Sequence, residues 1–203
     1  TMESSKNYLF KYQVSLEEYN LKSYSNNGKN DLAISDLIEN LGLFYYTEQT
    51  ERLNCFLLQQ KTGIPKMTEI IELALKDPPA PDYLERKSPL LNIRKKIRDF
   101  FFRDEPDRAK FENLLVLLKG YEHGLTNDVI ADTYSFLRSY GSYLISLGHF
   151  ELQEGLHEIQ KDNLKKGYFY YKDKINPATL INITRMALGI NKVQWAKEFV
   201  ESH

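Results

Sequence analysis

The stretch Asn176–Ser202, NPATLINITRMALGINKVQWAKEFVES, constrains the fold more than any other part of the chain. It reads as a complete helical hairpin. Asn176 is an N-cap residue, and Pro177 follows at the first helical position, where a missing N–H costs nothing. Leu180, Ile183 and Ala187 recur at helical spacing. Gly189, Ile190 and Asn191 break the pattern, and a second helix carries Val193, Trp195, Phe199 and Val200. Two short amphipathic helices joined by a tight turn cannot bury their apolar faces alone. They must stack on units of the same kind, and the chain supplies such units upstream.

Residues 4–24 read as a helix with Leu9, Tyr12, Leu16 and Tyr19 on one stripe. Ser25–Asn30, SNNGKN, is a loop, and Asn30 or Asp31 caps a helix carrying Ile34, Leu37, Ile38 and Leu41. Thr47 is expected to start a further helix with Leu53, Phe56 and Leu57. Thr62-Gly63 stops that helix, and Pro65 opens a short one bearing Met67, Ile70, Ile71 and Ala74. Asp77–Asp82, DPPAPD, cannot be helical and reads as a stiff, irregular link within one array, extending over 77–87. Ser88-Pro89 repeats the cap-plus-proline device ahead of Leu90, Ile93, Ile97 and Phe101. After the DEPD turn at Asp104–Asp107 comes a helix with Phe111, Leu114, Leu115 and Leu118. Asn127-Asp128 opens a long helix with Ile130, Tyr134, Leu137, Gly141 and Leu144. Gly148 ends it, before Phe150, Leu152, Leu156 and Ile159. Gly167–Ile175 is an aromatic connector in which a short strand is conceivable. No alternating strand pattern is found elsewhere, and the expected class is all-α.

Three triplets share the offsets 0, +2 and +6: Ala109, Phe111, Leu115; Phe150, Leu152, Leu156; Val193, Trp195, Phe199. They recur at a period of about forty residues, one helical pair per unit, which is the signature of a helical solenoid. The small residues Ala131, Gly141, Ala187 and Ala196 mark places for close helix approach. The competing reading is a non-repetitive helical bundle. The segments Ile38–Gln60, Ser88–Phe101, Tyr143–Ile159 and Asn176–Glu201 resemble the tetratricopeptide-like helical-repeat family of uncharacterised bacterial proteins. That resemblance implies an α-α superhelix, a solenoid of stacked antiparallel helix pairs over residues 1–203, binding a protein or peptide partner. It brings no catalytic residue with it. The units are longer than the 34-residue tetratricopeptide repeat, and the strict consensus is not met.

Lys and Arg total 27 and Asp and Glu 28, for a net charge of −1, which argues against a nucleic-acid-binding surface over the whole chain. A basic run, Arg94, Lys95, Lys96, Arg98, Arg103, Arg108 and Lys110, is interrupted by Asp99, Asp104, Glu105 and Asp107. The one cysteine, Cys55, excludes an internal disulfide and reads as a small core residue. No stretch has signal-peptide or transmembrane character, so the expectation is a cytoplasmic protein. The sequence stops after an amphipathic helix with no polar capping helix. We therefore expect a fragment of a longer protein, or self-association through an exposed repeat end.

No phosphate loop, G-x-S-x-G or dinucleotide fingerprint occurs. His149 and His157 lie too far apart for a one-face ligand pair, and the histidines read as surface or loop residues, so no metal site or cofactor is expected. One constellation suggests binding. Arg94, Arg98, Arg138 and Arg185 fall on the first helices of successive pairs, with Asn182 beside Arg185. Guanidinium groups there would hold a carboxylate bidentately, and Asn182 an extended backbone. The expected function is a non-enzymatic scaffold for protein–protein interaction. The alternative is an accessory helical domain of an enzyme or of a nucleic-acid-associated protein.

Overall fold

The computed structural model describes residues 3–25, 31–61, 80–102 and 108–203. The expected stop at Thr62-Gly63, the Pro65 helix, the DEPD turn, most of the SNNGKN loop and residues 77–79 of the DPPAPD link lie outside them, while Asp82–Lys87, expected within an irregular link over 77–87, is helical. Among the described residues the chain is all-α. Strand pairing is confined to Tyr170–Tyr171 against Lys174–Ile175 and one bridge between Glu3 and Leu125. The chain divides into two compact units, Thr1–Thr126 and Asn127–His203.

The first unit contains α1 (Ser5–Ser25), α2 (Asp31–Lys61), α3 (Asp82–Lys87), α4 (Pro89–Phe102) and α5 (Arg108–Tyr121), followed by a 3-10 turn at Glu122–Gly124. The expected break at Thr47 is absent, because α2 runs through it as one helix of 31 residues. Thr47 is buried rather than capping anything. The buried stripe of α2 is Leu43, Thr47, Thr50, Asn54 and Leu57, at alternating spacings of three and four. α1 packs along α2 with Ser5, Tyr8 and Ser15 buried, and Asn40 Nδ2 donates to Ser15 Oγ at 2.9 Å. Ile34, Ile38 and Leu41, expected in the core stripe of α2, are exposed, and Leu37 is half-buried. A long helix can carry two stripes of apolar period, and only the partner's shape selects one. The buried polar groups of this stripe are met from their own helix and from α4: Thr50 Oγ1 donates to Tyr46 O, and Asn54 Nδ2 to Arg94 O.

Glu3 closes this unit. Its N–H donates to Gly124 O at 2.7 Å, and Thr126 N–H donates to Glu3 O at 3.2 Å. Its carboxylate accepts from Leu90 N–H at 3.0 Å and Ser88 Oγ at 3.2 Å, so an acid sits at the N-terminus of α4, where the helix dipole favours it. Ser88 Oγ accepts from Leu91 N–H at 3.0 Å, the cap expected from Ser88-Pro89. Tyr8 donates to the same Ser88 Oγ at 2.6 Å, and burial pushes its phenol well above the ordinary tyrosine range.

The second unit contains α6 (Asn127–Ser146), a 3-10 turn at Phe150–Leu152, α7 (Gln153–Lys165), β1 (Tyr170–Tyr171), β2 (Lys174–Ile175), α8 (Pro177–Gly189) and α9 (Val193–Ser202). Ile130, Tyr134, Leu137, Gly141 and Leu144 are buried along α6, as their period predicts. Gly148 ends that helix at φ +104°, a left-handed backbone that a side chain resists. Lys172 and Asp173 both take positive φ between β1 and β2, so the aromatic connector is a tight hairpin. The Asn176 side chain accepts from Ala178 N–H at 2.8 Å and caps α8, with Pro177 at its first position. Ile183, Ala187, Ala196 and Phe199 bury the inner faces of the last two helices. Gly141 faces Leu156 so closely that a Cβ there would sit 2.5 Å from Leu156 Cδ1.

The repeated triplets divide by position. At offsets +2 and +6, Phe111, Leu152, Leu156 and Phe199 are buried, while Leu115 and Trp195 are half-buried. At offset 0, Ala109, Phe150 and Val193 are exposed. The first position lies at or just before each helix start, where no neighbour covers it. Cys55, expected in the core, is half-buried.

Candidate functional site

Arg94 and Arg98 lie in the first unit, and Arg138, Asn182 and Arg185 in the second. Arg94 on α4 is only 7 % exposed and turns inward. Its Nη1 donates to Ser5 Oγ at 2.8 Å and to Thr47 O at 3.1 Å, and its guanidinium pairs with Glu51 of α2. Asn54 Nδ2 donates to the Arg94 backbone carbonyl at 2.9 Å. A fork filled from α1 and α2 braces three helices, which corrects the expectation that Arg94 faces outward beside the core stripe. Arg98, one turn on, is half-buried with Nε 4.0 Å from Asp99. Asn182 and Arg185 are both exposed, one turn apart on α8. Lys95 of the basic run pairs with Glu85.

Arg138 is different. It is half-buried on α6, with its guanidinium carbon 4.2 Å from the centre of the Phe169 ring, a cation–π stack. Its Nη1 is buried and has no hydrogen-bond partner among the described residues. Burial pulls its pKa down to about 10, which reports how poorly the site solvates the charge. Gln160 and Asn163 of α7 are buried, Asn163 completely, and Gln160 Oε1 and both amide atoms of Asn163 lack partners among the described residues.

Gly141 opposes Leu156 across the pair α6 and α7, which puts Tyr134 level with Asn163 and Arg138 level with Ile159. Tyr134 stacks on Tyr168 at 6.0 Å, and Tyr168 N–H donates to Asn163 O at 3.0 Å. Phe169, the next residue, is the ring under Arg138. Gln160 and Asn163 escaped the sequence reading, because polar residues between Leu156 and Leu164 on a charged helix look solvated.

His157 corrects the expectation that the histidines are surface or loop residues. It is buried on α7, edge-on to Trp195 of α9 with centroids 4.5 Å apart, and its Nδ1 has no partner among the described residues. Burial lowers its pKa. Trp195 stacks on Phe199 at 5.0 Å, and Tyr170 Oη lies 2.6 Å from His203 Nε2. No group of three metal-ligating side chains occurs among the described residues.

The other conspicuous surface is apolar. Ile34, Ile38, Leu41 and Tyr45 follow the spacing i, i+4, i+7, i+11 on α2 and are 38–59 % exposed. On α1, Phe10, Val14, Leu21 and Tyr24 are exposed as well. Among the described residues no helix is long and apolar enough to cross a membrane. Compared with known protein families, with curated proteins and with solved structures, the chain finds no match.

Proposed function

We propose that this protein is a non-enzymatic helical-repeat scaffold, built as a tetratricopeptide-like superhelix, whose α2 surface docks a protein partner. The observation that carries the reading is the exposed stripe Ile34, Ile38, Leu41 and Tyr45. Apolar residues at that spacing form one continuous helix face, the form in which helix-in-groove and helix-on-helix partners are recognised. Single exposed apolar residues are ordinary, but a contiguous stripe marks an interaction surface. The neighbours α1 and α2, α4 and α5, and α8 and α9 pack on one another, as stacked pairs would, while α2 also packs extensively on α4. Arg94 and Lys95, held by Glu51 and Glu85, leave the basic run without a continuous free face, which favours a protein partner over a nucleic acid.

The test is a double charge substitution, Ile38→Asp with Leu41→Asp. Both residues are exposed, so the helical circular dichroism should be unchanged. Burying an Ile or Leu side chain is worth roughly 1.5–3 kcal/mol when complete, so partner binding should weaken at least about tenfold. Proximity labelling in cells, comparing the variant with the parent chain, reads the loss, and light scattering reads self-association through the same face. Equal labelling and equal mass for the two folded chains would refute the docking surface.

A further inference from the structure

The first unit presents two apolar stripes of like form. On α1, Phe10, Val14, Leu21 and Tyr24 are 41–91 % exposed. They lie at offsets 0, +4, +11 and +14, which share one side of a helix, and Glu17 occupies the +7 place between them. The residues that α1 buries, Ser5, Tyr8 and Ser15, fall on its other side. The α2 stripe from Ile34 to Tyr45 has the matching offsets 0, +4, +7 and +11. It too lies away from the buried residues of its own helix, Leu43, Thr47 and Asn54. Covering all eight exposed side chains would withdraw on the order of 600 Å² of apolar surface from water. That is about the apolar share of a specific interface at its lower size limit, roughly 1,200 Å² in all. The two helices are also opposite in charge. α1 carries three lysines against Glu17 and Glu18, a net +1. α2 carries five acids against Arg52 and Lys61, a net −3. One α2 set against another would bring like charges together, whereas α1 is the complementary surface. The charge within the α1 stripe, Glu17, needs a donor on the surface it meets. Tyr45 supplies one: its hydroxyl accepts from Gln49 Nε2 at 3.2 Å, which leaves the O–H to donate.

We infer that the partner of the α2 surface is a second copy of this chain, whose α1 stripe docks on Ile34, Ile38, Leu41 and Tyr45. This rests on the docking surface proposed above and names its occupant. Phe10, Val14, Leu21 and Tyr24 of one copy bury against the α2 stripe of the other. Glu17 accepts from the Tyr45 hydroxyl, and the lysines of α1 face the acids of α2.

Sedimentation velocity of the 203-residue chain over a range of concentrations tests it. The mean mass should rise with concentration, with a Kd on the order of 10 μM. Phe10→Asp with Leu21→Asp, and separately Ile38→Asp with Leu41→Asp, should each stay monomeric with the helical circular dichroism intact. Mixed in equal amounts, the two variants should associate again, because one keeps its α2 stripe and the other its α1 stripe. Serine at the same positions removes the apolar contact without adding charge, and serves where an aspartate pair disturbs folding. A parent chain that stays monomeric at about 200 μM, well above that Kd, would overturn the inference. If Ile38→Asp with Leu41→Asp then still lost labelling of other proteins in cells, the α2 surface would stand with a different partner. Self-association that survives in either folded variant, or folded variants that fail to associate when mixed, would overturn the inference too.

Discussion

Removing the Arg94 side chain distinguishes a brace from a binding residue. In Arg94→Ala, Glu51 loses its counter-ion, and Ser5 Oγ and Thr47 O lose donors at 2.8 and 3.1 Å. Breaking a buried ion pair by deleting one partner costs roughly 3–5 kcal/mol, most of it the penalty for the charge left behind. The Glu51 side chain retains 21 % exposure and can relax towards water, so the lower end, about 3 kcal/mol, is expected. With a urea m-value of about 1–3 kcal/mol/M, the midpoint of urea unfolding followed by far-UV circular dichroism should fall by about 1–3 M. Replacing both partners, Arg94→Met with Glu51→Leu, removes the stranded charge and should recover most of the loss. A destabilisation below about 1 kcal/mol in Arg94→Ala, or a double variant that simply adds two losses, would refute the account of Arg94 as a brace.

Two further outcomes follow from the second unit. Gly141→Ala places a Cβ 2.5 Å from Leu156 Cδ1. The overpacking costs about 1–3 kcal/mol, while alanine's better helix propensity returns about 1 kcal/mol, so the net loss should be about 0–2 kcal/mol. Leu156→Ala alone should cost roughly 2–5 kcal/mol, and the double variant should cost clearly less than the sum by urea unfolding; strict additivity would mean the two positions do not touch. His157 is held neutral by burial, with its folded pKa below the ordinary 6.5. The unfolded chain therefore binds the extra proton, and His157's contribution is fully present above about pH 6.5 and lost as pH falls through the folded value. His157→Gln should flatten the decline in stability as pH falls below about 6.5. An unchanged slope would exclude this role.

Much of the local architecture was legible in the sequence, because its causes are local. Asn176-Pro177 and Ser88-Pro89 start helices by capping chemistry that neighbouring residues supply, and Gly148 stops one by its φ of +104°. The α6 stripe has one apolar face, so periodicity identified its buried side. In α2 it failed, because the face with Ile34, Ile38 and Leu41 and the face with Leu43, Thr47 and Asn54 both repeat helically. The candidate site was legible only in part. Arg138 was singled out as an arginine on a first helix, but nothing nearby in sequence marks Phe169 as its stacking partner or Asn163 as buried.

By itself, then, the sequence determined an all-α chain, the helix starts at capped prolines and the hydrophobic offsets that become core. Tertiary structure alone decided which side of α2 meets a neighbour, that Arg94 points inward to Glu51 while Asn182 and Arg185 face water, and that Arg138 is half-buried against Phe169. Capping and periodicity act over a few residues along one helix. The fate of a charge depends on which groups distant segments bring within hydrogen-bond reach, and that follows only once the helices have packed.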